Sequence, residues 1–457
     1  MSTAPFLKAP PMTVSLTPFP SSFDRRTILR ATAMAFAAYA AAGCRPGRAS
    51  ATLASGPYGK LVPDRDGILD LPEGFSYQVI SRLGDAMDDG GTVPDLADGM
   101  GCFALADGRI ALVRNHELKA HEDAGGPIAA GYDRRSDGTV LPGGTTTLVL
   151  DPGTLAVERQ FRSLAGTIRN CAGGVTPWGS WLSCEEDVTR AGAGVKRDHG
   201  WVFEVPAAAA GLVDAVPLKA MGRFNHEAAA VDPATGHVYL TEDRDDGLLY
   251  RFIPDVPGKL AAGGRLQALG LGEVSIRDTR NWQGNALARR QWHAVRWIDL
   301  DEVESPQDDL RMRGIAAGAV PFARGEGIHL GAGELYFCCT SGGARRLGQI
   351  FRLSLGDAAQ RLQLFFESAS EAEFNYGDNL TVAPNGHLIV CEDQYTQVVD
   401  NHLRGIAPDG TAYPLARLRL QTELAGACHS PDGAVLFVNI YSPAMTVAIR
   451  GPWAGQT

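Results

Sequence analysis

Along residues 221–252 the chain reads MGRFNHEAAAVDPATGHVYLTEDRDDGLLYRF. Apolar runs at 228–231, 238–240 and 248–252 alternate with polar clusters. That pattern predicts three short strands. Asp232-Pro233-Ala234-Thr235-Gly236 supplies the first turn, with proline setting φ and glycine free to take φ > 0. A hairpin brings its open ends together. Asn225-His226-Glu227, entering the first strand, is therefore expected beside Glu242-Asp243, leaving the second.

The same grammar recurs around glycine. After Gly236 comes HVYLTED, after Gly386 HLIVCED, after Gly179 SWLSCEED, after Gly108 RIALVRNHE, after Gly333 ELYFCCTS and after Gly433 AVLFVNIY. Six hairpins share a polar entry, an apolar run, a turn glycine, a second apolar run and a polar exit. They predict an all-β fold, a six-bladed β-propeller with inserted loops. A β-sandwich also places turns after each strand. The matching register of the polar ends favours a closed ring, which gives them one place to meet. Anchor spacings of about 45 to 100 residues require the insertions. FSYQVIS at 75–81 reads as an early strand that completes the last blade. Residues 145–161 read as a hairpin around Asp151-Pro152-Gly153, 292–299 as a strand, and 301–320 as an inserted loop or helix.

Composition narrows the chemistry. With 45% hydrophobic residues, 54 glycines and 27 prolines in 457 residues, the chain is globular and rich in turns. A net charge of −10 argues against nucleic acid as a partner. The eight cysteines include no CxxC, and most sit in or beside apolar runs as small buried hydrophobes. No G-x-S-x-G occurs, which disfavours a serine hydrolase.

The organisation is expected to be a leader over 1–49, a linker over 50–73 and the propeller domain over 74–457. Arg25-Arg26 precedes the mild apolar run 31–42, the mark of a twin-arginine export signal. The twin-arginine export machinery is thus an expected partner, and the location is expected to be periplasmic or secreted. Cys44 is a candidate lipid anchor, with an A-x-A cleavage nearby as the alternative. The mature protein is expected to act as a monomer.

The polar ends carry the candidate chemistry. Entries are Cys171, Glu227, Arg324 with Glu326, and Asp378 with Asn379; exits are Asn115 with Glu117, Glu185 with Glu186, Glu242 with Asp243, and Glu392 with Asp393. In a ring they converge at one mouth of the channel. So many acids cannot all ionise without cations. Oxygen ligands in that number call for Ca²⁺, and one thiolate among them points to a transition metal such as iron. A single acid of this kind more often caps a turn or pairs with an arginine on a solvated rim; the repeated set is the unusual feature. His116, His199 and His226 are available as ligands or proton carriers.

NCAGGVTPWGSWLSCEED, FNHEAAAVDPATGHVYLTED, RGEG and NGHLIVCED resemble the PhoX family of secreted alkaline phosphatases, over roughly residues 70–450. The resemblance implies a six-bladed propeller, twin-arginine export, and hydrolysis of phosphomonoesters at two Fe³⁺ and three Ca²⁺ ions joined by an oxo group. It implies that Cys171 binds iron, that Glu186, Glu242, Glu326 and Glu392 bind metal, and that Arg324 binds phosphate. The repeat geometry adds Glu117, Glu227 and Asp378 as metal ligands. Arg324 and Glu242 are the candidate catalytic residues, and Arg324 and Asn115 the candidate substrate-binding ones. Glycine register equates Glu185 with Glu242, whereas the fifteen-residue step from Cys171 selects Glu186, which is preferred. The competing classes are a non-catalytic calcium-braced propeller and a calcium-dependent propeller lactonase.

Overall fold

The computed structural model describes residues 56–453 except positions 285, 357, 358 and 395. These belong to the unit Thr52–Thr457. The leader, Arg25-Arg26 and Cys44 lie outside the described residues. Among the described residues the chain is built of strands, with one short α-helix at Leu310–Ala316 inside the expected insertion and single 3-10 turns at Lys219–Met221 and Leu260–Ala262.

Six strands organise the rest. Ala97–Ala104, Asn170–Val175, His226–Val231, Gly325–Gly331, Gly377–Val382 and Leu424–His429 each open a hairpin. Each packs against the next in a closed cycle, and the sixth returns to the first. They approach closely because the facing residues are small. A Cβ on Gly99 would stand 2.5 Å from the Cα of Ala172, and one on Gly327 2.7 Å from the Cα of Asn379. Glycine is needed where backbones come this near. Between neighbouring sheets, apolar side chains fill the wedges; Leu112, Leu148, Phe437 and Ala448 pack in one such cluster. Each large apolar side chain buried there stabilises the ring by about 1.5–3 kcal/mol.

The all-β propeller arrangement is therefore present, but the expected six separate blades are corrected. Hydrogen bonding divides the strands into five sheets, four of them separate and one of nine strands. The nine-stranded sheet holds both the third and the fourth hairpins. Trp292–Asp299 pairs with Gly264–Leu271 on one side and, through Trp292–Ala294, with Arg361–Glu367 on the other. Both neighbours are outermost strands with unpaired backbone groups, and the inserted strand satisfies the two edges at once.

Ser76–Arg82 pairs with Met445–Arg450, so the N-terminal strand completes the last sheet. The expected linker is also corrected. Leu61–Val62 pairs with Leu69–Pro72, which in turn adds to Ala412–Leu418. Leu69 and Leu71 are buried, and Asp70 between them meets Arg419 at 3.0 Å. This short alternation sits among prolines and glycines, which mask it as turn sequence.

Candidate metal centre

Each hairpin closes its ladder at one end of the ring. The closing pairs are Ala97↔His116, Asn170↔Glu185, His226↔Glu242, Gly325↔Cys339 and Gly377↔Glu392, and in each the register then slips. In the sixth, Leu424↔Ile440 closes and the slip comes one residue later. A bulge re-aims the side chains around it. The inner-strand residue after the pair then faces one central cavity: Asp98, Cys171, Glu227, Glu326 and Asp378. So does the residue after the pair on the outgoing strand: Glu117, Glu186, Asp243 and Asp393. Arg169 and Arg324 precede their pairs and adopt left-handed backbone, φ 46° and 55°. Non-glycine residues pay about 1–3 kcal/mol for that conformation. Its recurrence here turns two guanidinium groups into the cavity.

Among the described residues the cavity, of about 300 Å³, is lined by nine carboxylates, the Cys171 thiol, Tyr441, two arginines and four further uncharged residues. Arg324 makes a fork to Asp243, Nε–Oδ1 and Nη2–Oδ2 both 2.8 Å, and reaches Glu326 Oε1 at 3.0 Å. Arg169 joins Glu117 and Glu186: Nε donates to Glu117 Oε1 at 2.7 Å and Nη2 to Glu186 Oε2 at 2.5 Å. Tyr441 donates to Glu117 Oε2 at 2.5 Å. Asp98 Oδ1 and both Glu227 carboxylate oxygens are buried without a hydrogen-bond partner.

The charge around those orphans points to cation ligands. Burial, reinforced by Glu117 and Asp378, pushes the Asp98 carboxyl well above its usual range. Burial, then Glu326 and Asp378, does the same to Glu227. Asp378 is pushed up to about 7, again mainly by burial. The Cys171 thiol is raised by burial and then by Asp98, to whose Oδ2 it donates at 3.4 Å. Ligand atoms lie within 4.8 Å of one another in three linked groups: Asp98–Glu117–Cys171, Cys171–Glu186–Glu227 and Glu227–Glu326–Asp378. Nine acids around two guanidinium groups, with unpartnered oxygens at the centre, fit several cations.

A family model described as alkaline phosphatase PhoX matches residues 56–152 and 152–444. The chain belongs to this family. By that membership it is an enzyme, a phosphoric monoester hydrolase. PhoX of Pseudomonas fluorescens, solved in complex with the transition-state analogue vanadate, superposes with a TM-score of 0.65 at 18% identity, covering 85% of this chain and 97% of that one. A gluconolactonase from Xanthomonas campestris superposes with a TM-score of only 0.40 at 14% identity, covering 87% and 98%. No curated protein matches the sequence.

Of the residues expected in this PhoX site, the structure brings together Glu117, Cys171, Glu186, Glu227, Arg324, Glu326 and Asp378. It does not bring Glu242, Glu392 or Asn115 to the cavity, and their expected convergence is corrected. Glu242 accepts the Tyr250 hydroxyl at 2.7 Å and the Leu248 amide at 3.2 Å. Glu392 accepts the Asn375 and His402 amides and Arg404 Nε, at 2.9, 3.1 and 2.7 Å. Both belong to closing pairs, so strand alternation turns them away from the axis. Asn115 instead supports the site from behind: its Nδ2 donates to the carbonyls of Cys171 and Ala172. The histidines also have structural partners. His116 meets the Asp95 carbonyl and Thr146, His226 the Gly222 carbonyl, and His199 lies between Glu185 and Asp133.

Sequence reasoning missed Asp98, Arg169, Glu423 and Tyr441, and did not select Asp243 and Asp393 from their exit pairs. One signal was present. Arg169-Asn170-Cys171 and Arg324-Gly325-Glu326 share a spacing, an arginine two residues before an axis-facing ligand.

Proposed function

We propose that this cavity hydrolyses phosphomonoesters at a cluster of two Fe³⁺ and three Ca²⁺ ions, and that the enzyme scavenges phosphate outside the cytoplasm. The carrying observation is the linked set Asp98, Glu117, Cys171, Glu186, Glu227, Glu326 and Asp378, with its orphaned buried oxygens. Those residues would hold the ions, Cys171 toward iron as the softer ligand. When bound, such cations would supply charge neutralisation for the phosphoryl dianion and Lewis acidity toward an oxygen nucleophile.

The chain's own residues then have distinct tasks. Arg324, held by its fork to Asp243, presents guanidinium N–H donors to the phosphoryl oxygens. Asp243 fixes the plane of that fork, and Arg169 locks Glu117 and Glu186 across Cys171. A thiol in the set argues against a calcium-only lactonase or a brace without activity, because Ca²⁺ takes oxygen ligands. In this reading the nine-stranded sheet counts as two blades joined through 292–299, giving six. Twin-arginine export through Arg25-Arg26, action as a monomer, and lipidation at Cys44 complete the proposal.

Elemental analysis with chelation tests it. Purified protein should carry both iron and calcium, and EGTA should lower activity and thermal stability together, since ligands of the native state stabilise by mass action. Full phosphomonoesterase activity in protein free of both metals would overturn it.

A further inference from the structure

The cavity is chemically two-sided. All its charged groups come from the repeated strand-end positions. Besides Cys171 and Tyr441, its neutral residues are Gln394, Val399, Asn401 and Thr422, which come from two adjoining connections after the fifth hairpin. These four are fixed in place before any substrate arrives. Val399 N donates to Gln421 Oε1 at 2.9 Å, and Gln421 Nε2 returns a bond to the Val399 carbonyl at 3.0 Å. Asn401, 1% exposed, accepts from Gln394 N at 2.9 Å and donates to the Thr422 carbonyl at 3.1 Å. Gln394 Nε2 is held on the Asp400 carbonyl at 2.9 Å. The segment leads outward to Val398, which is 74% exposed.

We propose that Gln394, Val399, Asn401 and Thr422 form the wall against which the alcohol portion of the phosphomonoester lies, and that this wall selects uncharged alcohols over alcohols carrying a second anion. The inference rests on the phosphomonoesterase reading. A phosphoryl dianion goes where positive charge is, toward Arg324 and the cations among the buried carboxylates. The ester's other end is left at the neutral side. There the half-buried Val399 offers apolar contact, while no lysine or arginine lines the wall. Asp393 and Glu423 flank it in sequence and also line the cavity. A carboxylate or second phosphate on the alcohol lies beside that acidic pair, with no lysine or arginine among the four wall residues to meet it. In a partly desolvated cavity such a mismatch lowers kcat/KM on the order of tenfold. The prearranged wall costs the substrate little ordering entropy, so the discrimination is expected in KM more than in kcat.

The test compares phenyl phosphate with 4-carboxyphenyl phosphate, whose phenols have similar acidity, on the metal-loaded enzyme. Wild type should favour phenyl phosphate about tenfold in kcat/KM. Val399→Lys should bring the ratio toward unity, and Val399→Asp should widen it. The Val399–Gln421 bonds are main-chain at residue 399, so both variants retain them, and thermal melting checks this. If phenyl phosphate is hydrolysed but the ratio is near unity in wild type, or is unmoved by both variants, the wall is overturned and the phosphatase reading stands. If wild type turns over neither ester, the phosphatase reading falls and the wall with it.

Discussion

Glu185 and Glu186 are adjacent in sequence and serve opposite sides of one strand end. The Glu185 carboxylate is fully buried in protein, accepting the amides of Ile168, Gly200 and Trp201 at 3.0, 2.9 and 3.2 Å and lying 2.7 Å from His199 Nδ1. The Glu186 carboxylate faces the cavity and Arg169. The same division separates Glu242 from Asp243 and Glu392 from Asp393. One acid of each pair ties the turns of its own hairpin together, and the next faces the shared axis. The carboxylate that builds the blade and the carboxylate available to a cation are thus neighbours by design of the two-residue strand period.

Glu185→Gln and Glu186→Gln should therefore fail differently. The first leaves backbone N–H groups facing an amide nitrogen and should lower stability by about 1.5–3 kcal/mol. The second removes one negative charge from a crowded cavity and should leave the metal-free protein at least as stable, while iron or calcium content falls. Denaturant melts with elemental analysis on both variants distinguish the two. Equal metal loss in both, with no change in stability, would contradict the division.

This pairing also explains what the sequence made legible. Six hairpins, the closing strand at 75–81 and the strand at 292–299 follow from apolar runs and turn glycines, which are local signals. Cys171, Glu227 and Glu326 follow from hairpin ends. Which of two adjacent acids faces the axis depends on register, and register depends on turn length. Asn170 pairs with Glu185 at a step of fifteen residues, but His226 pairs with Glu242 at a step of sixteen. Counting fifteen from both Cys171 and Glu227 therefore reaches Glu186, which faces the cavity, and Glu242, which does not. Fusion of two hairpins through 292–299 was equally hidden, because edge pairing between distant strands leaves no local pattern.

Glu242 gives a pH-dependent prediction. Burial raises its carboxyl to about 7, against partial relief from Tyr250 and Arg311. The native state holds this proton more tightly than the unfolded chain. The stability it contributes is complete below the unfolded value near 4.3 and is lost as pH rises through about 7. The loss amounts to about 3 kcal/mol. Glu242→Gln keeps an acceptor for Tyr250 and removes the ionisation. Its melting temperature should fall less than that of wild type between pH 5 and pH 8.5, and phosphomonoesterase activity should survive. Loss of bound metal in this variant would show that Glu242 reaches the cations after all.

Arg324→Lys tests the fork. Lysine preserves charge but not the paired bonds to Asp243 that fix the guanidinium plane. Activity should drop about a hundredfold, as when one preorganised donor to a transition state is removed. Metal content should be unchanged, and inhibition by vanadate should weaken in parallel. A variant that retains full rate would remove Arg324 from the substrate site.

Cys171 carries the sharpest expectation. It is buried at the join between two of the three candidate ligand groups, shared by Asp98–Glu117 and by Glu186–Glu227. Burial among acids holds its thiol protonated in the absence of metal, so binding a cation there must displace a proton. A thiolate on ferric iron absorbs visible light, and the purified protein should be coloured. Cys171→Ser keeps the size but offers a harder oxygen and a far less acidic proton. The band should vanish, iron should be retained more weakly, and phosphomonoesterase rate should fall on the order of a hundredfold. The ring should still fold, because its stability comes from the wedges between sheets and the remaining carboxylates can hold calcium. Cys184→Ser and Cys391→Ser serve as controls: both thiols are buried in strand cores and neither lines the cavity. A colourless, iron-free wild type that hydrolyses phosphomonoesters at full rate after expression with ample iron would end the iron assignment.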